Sequence, residues 1–275
     1  MTSLIPTRLR KILARGKRWT RGIPGRFEAW RYGLPEIEPD FLFRNRPRPH
    51  FKPITDDCYM PPYRGSSHND LEFLLTLGHQ LDPAIVLELG TAYGNTVANL
   101  CLACTTARIL TVNALPEQIS GEHVTEVLAQ EDIGRVYRDA GFAERVTQIF
   151  ANTLDLALDE YSEPNSIDMA IIDACHDTDF VIHDFELVAP FVRPDGFVLL
   201  HDTHPSMERH LGSSYRACMA LRREGYDIRH VRGTWWAVWK KQDHAETGSK
   251  FFETRTRSKG PNKTARSLSS MSSFR

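Results

Sequence analysis

The sequence predicts an α/β protein built on one doubly wound, mostly parallel sheet of seven strands that closes on an antiparallel edge hairpin. Three observations predict it. Strand-sized apolar runs alternate with helix-period segments from Ile85 onward, the pattern of a parallel sheet covered on both faces. A glycine-bearing loop, Gly90-Thr-Ala-Tyr-Gly94, follows the first run. The patterned region ends on two strand-like segments, 226–231 and 234–239, joined by Arg232-Gly233, a hairpin signal.

Each element follows from its local pattern. Residues 69–81 read as a helix, with Asn69 or Ser67 as cap and Leu71, Leu74, Leu75 and Gly78 at helical spacing. Ile85–Leu89 is a buried strand, 96–105 a helix and 109–112 the second strand. The connection 116–142 reads as mostly helical. Strands follow at 145–150 and Ile167–Ile172, then a helix at Thr178–Val188 with Val181, Phe185 and Val188 aligned. Pro194-Asp195-Gly196 predicts a turn before a fifth strand at 197–200, and 215–223 a further helix.

Length and composition bound the rest. A chain of 275 residues with 41% hydrophobic and 25% charged residues can bury a core without disulfide staples, and it is not collagen-like, coiled-coil or wholly disordered. No apolar run approaches the ~20 residues of a membrane span. The first ten residues lack the apolar core of a secretory signal, and the five cysteines then point to a reducing, cytoplasmic setting. The net charge of −1 hides an uneven layout. Residues 1–34 hold nine Lys or Arg against Glu28, and residues 245–275 hold seven against two acids, leaving an acidic body between. Prolines are dense from Pro35 to Pro62 and break any long helix there. The chain divides into a basic, Pro-rich extension over 1–68 with a short helix near 8–19, a catalytic domain over 69–244, and a disordered basic Ser-rich tail over 245–275. The arms are solvated, fold back on the acidic body, or make weak peripheral contact with an anionic membrane.

The glycine loop carries the first chemistry. Glu88 stands just before the turn and the middle glycine of a G-x-G-x-x-G pyrophosphate loop is missing. A carboxylate there repels a pyrophosphate and attracts an ammonium or sulfonium group. Glu88-Leu-Gly90-Thr-Ala-Tyr-Gly94 resembles motif I, E/D-x-G-x-x-x-G, of class I S-adenosylmethionine-dependent methyltransferases, and the resemblance extends from about Asp70 to Lys240. It implies a Rossmann-like fold with the cofactor's methionine end against the glycine loop, held by Glu88, Gly90, Thr91, Gly94, Asn95 and Thr96. Where that family places an acid after the second strand, on the ribose hydroxyls, this chain has Asn113, with Glu117 as the alternative. Asn152 falls in the loop expected to meet adenine.

The fourth and fifth strands end in Asp173-Ala-Cys-His176 and His201-Asp202-Thr-His204. Ligands gather at such carboxyl ends. On neighbouring strands Asp173 and Asp202 face one point and need a proton or cation between them. The spacing resembles metal-dependent O-methyltransferases, in which one acid follows the fourth strand and a pair the fifth. It implies a metal site of Asp173, His201 and Asp202, with Asp173 also touching cofactor. Oxygen ligands favour magnesium, and a histidine ligand widens the choice to manganese, iron or zinc. Asp173-Ala-Cys-His176, with Asp184 eight residues beyond His176, resembles the branch holding cephalosporin-biosynthesis and macrolide sugar O-methyltransferases. There His176 is the general-base candidate and Asp202 shares the catalytic role; the structural alternative has His176 orienting the loop through Asp184. His183 and His210 read as exposed helix residues, Cys101 and Cys104 as small packed residues, and Trp235, Trp236 and Trp239 as buried rather than as a nucleic-acid platform.

The function expected is S-adenosylmethionine-dependent O-methylation of a small-molecule or sugar hydroxyl, assisted by magnesium or manganese, with no nucleic acid as partner. A nicotinamide-dependent oxidoreductase and a non-catalytic cofactor-binding module are the alternatives.

Overall fold

The computed structural model describes residues 33–43, 50–54, 70–119, 127–203 and 214–242. The basic arm over 1–32 with its expected helix, the cap residues Ser67 and Asn69, His204, His210 and the tail over 245–275 lie outside the described residues.

Eight strands form one sheet. In chain order they are β1 (Glu36–Ile37), β2 (Ile85–Leu89), β3 (Arg108–Asn113), β4 (Val146–Phe150), β5 (Ile167–Ile172), β6 (Val192–Leu200), β7 (Arg229–Val231) and β8 (Ala237–Lys240). Their spatial order is β1-β7-β8-β6-β5-β2-β3-β4. The six strands from β2 to β6 and β8 include a parallel block, β6-β5-β2-β3-β4, against which β8 runs antiparallel to β6. The helices are α1 (Pro39–Leu42), α2 (Asp70–Leu81), α3 (Asn95–Ala103), α4 (Arg135–Asp139), α5 (Thr178–Val188) and α6 (Ser214–Arg223).

The sheet is buried on both faces, as the alternating pattern requires. Leu87 and Leu89 of β2, with Leu110, Val112 and Ile149, pack in one core with Val181, Phe185 and Val188 of α5 and Cys218 and Leu221 of α6. Residues of the other parity, Val86 and Glu88, point to the opposite face, where Gly78 of α2 lies against Cys104, Leu100 and Met169. Of the three hairpin tryptophans expected to be buried, Trp236 is buried, Trp235 and Trp239 are half-buried, and the Trp239 ring meets Phe185 edge-on at 5.2 Å.

Three expectations are corrected. The sheet has eight strands, not seven, and the hairpin of β7 and β8 is not its edge. The segment 36–37, between Pro35 and Pro39, lies parallel to β7. The His230 and Arg232 amides donate to the Pro35 and Ile37 carbonyls, each at 2.9 Å, so the missing proline N–H is not needed. Arg232 adds ion pairs to Glu36 and Glu38. A two-residue strand has no periodicity to read, and only the open edge of β7 creates it. Second, among its described residues the connection 116–142 is not mostly helical. Its described part holds a 3₁₀ turn at Pro116–Gln118 and the five-residue α4, which Gly134 (φ +73°) and Gly141 (φ +81°) bracket. Third, β6 begins at Val192, five residues early. A register shift opposite Ile167 and Met169 takes Pro194 and Gly196 into the strand as an irregularity.

Arg145 ties α3 to β4. Its guanidinium donates to the carbonyl oxygens of Cys101 (2.8 Å), Ala107 (3.1 Å) and Cys104, the open end of α3. Arg145→Ala is expected to lower stability by about 2 kcal/mol, the worth of charged hydrogen bonds to partly buried carbonyls. Arg145→Lys should restore only part, because ammonium lacks the planar fork. Urea unfolding checks this, and a loss below about 0.5 kcal/mol would reject the role.

Candidate active site

The chain steps outward from β2 to β3 and β4, then crosses back to β5 and β6 on the other side of β2. The crevice beyond the carboxyl ends of β2 and β5 is therefore a topological switch point, where open α/β sheets bind ligands. Leu89 pairs with Ile172 and Ile172 with Leu200. The loops after β2, β5 and β6, holding Gly90, Asp173 and His201-Asp202, thus leave the sheet side by side.

The glycine loop is dictated by its neighbours. Gly90 has φ +106°, and a Cβ there would stand 2.2 Å from the Asp173 carbonyl oxygen. The Gly90 and Thr91 amides both donate to Val112 O, at 2.9 and 3.1 Å, and the Asp173 amide donates to Leu89 O at 2.9 Å. At Gly94 (φ +84°) a Cβ would meet the Tyr137 ring at 2.7 Å and Gly134 Cα at 2.9 Å. Asn95 and Thr96 open α3 directly behind.

Glu88 lies beneath this loop and is almost fully buried. Thr111 Oγ1 donates to its Oε2 at 2.6 Å. Thr91 Oγ1 and Thr111 Oγ1 are 2.7 Å apart, and Gln148 Nε2 donates to Thr91 Oγ1 at 3.0 Å. Burial, and secondarily the negative charge of Asp173, raise the Glu88 carboxyl to about 8, against hydrogen bonds from Thr111 and Thr96. Near neutral pH it is mostly a neutral acid, a state that the charge argument from sequence does not anticipate.

Asp173, His176, His201 and Asp202 converge. His176 Nε2 is 2.9 Å from Asp202 Oδ2 and 3.5 Å from Asp173 Oδ1. His201 Nδ1 is 3.3 Å from Asp173 Oδ1 and 3.6 Å from Asp202 Oδ1. Burial works against charging His176, but hydrogen bonds and charge from Asp173 and Asp202 raise it to about 9. His201 is likewise raised, the Asp173 charge outweighing burial. Burial alone would raise Asp173, and the two histidines instead hold it below the usual carboxylate range. The two carboxylates thus favour positive charge at the point they share with the two imidazoles. Ligand atoms from Asp173, His201 and Asp202 lie within 4.8 Å of one another, and the 3.3 and 3.6 Å from His201 Nδ1 to the two carboxylates match donors that share one dication at about 2.0–2.2 Å, which stand roughly 3–4 Å apart. The residues fit a divalent metal.

The remaining candidates serve the backbone. Asn113 Oδ1 accepts from the Ala92 amide at 3.0 Å and its Nδ2 donates to Ala114 O at 2.8 Å. Asn152 Oδ1 accepts from the Leu154 amide at 3.1 Å, and its Nδ2 donates to Gln118 O at 3.2 Å. Both shape the loops flanking the crevice, and Glu117 is exposed nearby on the 3₁₀ turn. Asp184 is buried; desolvation raises its carboxyl to about 6, against a Thr153 hydrogen bond and the His183 charge. His183 is not a free helix residue, since its Nε2 is 3.0 Å from Thr153 O. Cys101 and Cys104 are buried, unpaired thiols, as expected. Sequence reasoning missed Asp70, whose Oδ2 is 3.1 Å from His201 Nε2. Its only sequence signal is a helix-opening acid, a common feature.

Residues 87–203 match the family model described as a methyltransferase domain. A curated relative, the uncharacterized protein y4gI of Sinorhizobium fredii, is 27% identical over 170 residues, or 62% of this chain. The aligned part is 19% of that relative's length. Among solved structures, an O-methyltransferase from Bacillus cereus in complex with SAH shares 17% identity at a TM-score of 0.46, covering 62% of this chain and 79% of that one. The O-methyltransferase TomG from Streptomyces achromogenes, in complex with SAM, shares 18% at 0.46, covering 62% and 78%. The SAH-bound methyltransferase PaMTH1 of Podospora anserina shares 13% at 0.49, covering 63% and 77%.

Proposed function

We propose, from the methyltransferase domain that residues 87–203 form, that this protein transfers the methyl group of S-adenosylmethionine to a hydroxyl oxygen of a small molecule or saccharide, with a divalent cation at Asp173, His201 and Asp202. The observation that carries this reading is the convergence, at one switch point, of an acid-based glycine loop with two carboxylates and two histidines. S-adenosylmethionine supplies an activated methyl group on a sulfonium, and a dication at the carboxylate site supplies a Lewis acid that lowers the acceptor hydroxyl's pKa.

The chain's own residues do the rest. Gly90, Thr91, Gly94, Asn95 and Thr96 form the surface for the cofactor's methionine end, with Glu88 below it. Asn113 and Asn152 fix the loops on the ribose and adenine side. Asp173 borders both cofactor and cation. Holding the reactants in contact and excluding water is the main source of acceleration. His176 Nε2 takes the acceptor's proton, directly or through water. A histidine titrating near 9 is already protonated at neutral pH, so it acts as base only when a dication offsets the charge of Asp173 and Asp202. The buried thiols are consistent with a cytoplasmic setting, and no helix among the described residues is long and apolar enough to cross a membrane.

The test is S-adenosylmethionine turnover against a panel of hydroxyl compounds, before and after excess chelator, then with magnesium or manganese restored. Loss on chelation and recovery on readdition is the expected result. Full activity in chelator would remove the cation from the mechanism; dinucleotide binding without any response to S-adenosylhomocysteine would reject the whole reading.

Glu88 gives a second test. Its folded-state pKa lies above the unfolded value, so the folded state holds the extra proton between about 4.5 and about 8. Stability therefore falls as pH rises through that window, and Glu88→Gln should flatten the decline. A cationic methionine end favours the charged carboxylate, so cofactor binding near pH 7 should release up to about one proton. Calorimetry in buffers of different ionisation enthalpy reads this directly. A buffer-independent heat, or the same release from Glu88→Gln, would contradict it.

A further inference from the structure

We propose that Asp70 is a positioning residue that sets which nitrogen of His201 meets the cation, and thereby gives the centre a preference for transition-metal dications over magnesium. This rests on the cation site proposed above, and it concerns a residue of α2 that lies outside the matched methyltransferase segment.

Asp70 is buried at the start of α2. Its Oδ1 accepts the Trp235 amide at 2.7 Å, and its backbone carbonyl accepts Trp236 Nε1–H at 3.2 Å. These bonds pin the carboxylate from the hairpin side and leave Oδ2 for His201 Nε2, at 3.1 Å. The Trp236 ring lies 4.2 Å from the His201 ring, centroid to centroid, tilted by 52°. His201 is thus held by α2 and the segment leading into β8 before any ligand arrives.

The consequence is chemical. An ionised carboxylate only accepts hydrogen bonds, so Nε2 must carry a proton. Nδ1 is then the nitrogen that faces Asp173 Oδ1 and Asp202 Oδ1, at 3.3 and 3.6 Å. A cation entering there displaces the Nδ1 proton and keeps the Nε2–H. A carboxylate behind a metal-bound imidazole fixes its tautomer and raises its basicity, and removing such a partner costs roughly 10–100-fold in metal affinity. One nitrogen among the ligands suits manganese, iron(II), cobalt or zinc, whereas magnesium favours an all-oxygen set.

The experiment uses the full chain, stripped of metal, titrated with Co(II), Mn(II) and Mg(II) by calorimetry and by the visible spectrum of bound Co(II). Wild type is expected to bind Co(II) and Mn(II) at least tenfold more tightly than Mg(II). Asp70→Asn should weaken Co(II) binding roughly 10–100-fold, alter the Co(II) spectrum and leave S-adenosylmethionine affinity within about threefold. In a His201→Asp background the preference should move toward Mg(II), and Asp70→Asn should then have no further effect on it. Should Asp70→Asn fail to fold, nitrogen NMR of ¹⁵N-histidine wild type loaded with Zn(II) decides, with Nδ1 coordinated and Nε2 protonated as the expected state. Coordination through Nε2, unchanged Co(II) affinity in folded Asp70→Asn, or equal affinity for Mg(II) and Co(II) would overturn the inference while leaving the cation site standing. Absence of binding by any of the three cations would overturn both.

Discussion

Asp202→Asn is expected to lower turnover by roughly 10²–10⁴-fold, the range for loss of a group handling proton or charge in the transition state, while S-adenosylmethionine affinity stays within about threefold. The charge is what the variant removes. Asp202 is 2.9 Å from His176 Nε2 and faces His201 Nδ1, whereas the cofactor's proposed contacts lie on the loops after β2, β3 and β4 and at Asp173 after β5. The choice of Asn over Ala is physical. Asp202 has φ +54°, a left-handed conformation that Asp and Asn tolerate better than Ala. Asp202→Ala would add backbone strain and blur stability with chemistry, so it should lose a similar amount of turnover and melt at a lower temperature. Single-turnover kinetics with saturating cofactor separate the two. Turnover within fivefold of wild type in a folded Asp202→Asn would remove Asp202 from the mechanism. Asp173 is the less clean probe, because its carboxylate also borders the proposed cofactor seat.

Gly90→Ala is expected to cost about 3–5 kcal/mol of stability and to abolish measurable cofactor binding, the size of effect seen when special backbone geometry and a steric clash coincide. Backbone at φ +106° is strained for any L side chain, and a methyl group would overlap the Asp173 carbonyl at 2.2 Å, with Ala174 Cα at 2.9 Å. Neither neighbour is a flexible side-chain end, so the β2 and β5 loops must separate. That separation would part the glycine loop from Asp173 and open the proposed cofactor seat. Gly141→Ala is the control: its φ is also positive, at +81°, but a Cβ there meets nothing within 4 Å. It should cost only about 1 kcal/mol. Denaturant unfolding of both variants gives the difference, and equal losses would show that the clash contributes nothing.

Much of the frame was legible because it is local. The run Ile-Val-Leu-Glu-Leu over 85–89 is too short for a helix and bounded by turn residues, and it is a strand. Val181, Phe185 and Val188 share a face because helical spacing puts them there, and they are buried together. Asp173 and His201-Asp202 were legible as strand ends, and the pairing of β5 with β6 brought them side by side. The connection 116–142 misled for an equally local reason. Its apolar spacing resembles a helix, yet glycines at 134 and 141 stop α4 after five residues.

The sequence by itself determined the doubly wound frame, the acidic glycine loop and the four residues at the ends of β5 and β6, because periodicity and chain order are properties of neighbouring residues. Tertiary structure alone decided the rest. It placed the strand at 36–37, which exists only because β7 has an open edge to pair with. It turned Glu88 from a charged attractor of cations into a buried acid raised to about 8, since desolvation depends on what packs above the side chain. It committed Asn113 and Asn152 to loop backbone. It also carried Asp70, 131 residues away in the chain, to the back of His201. Contacts of that separation leave no periodic trace, because the closure that creates them is made by the whole fold rather than by any segment of it.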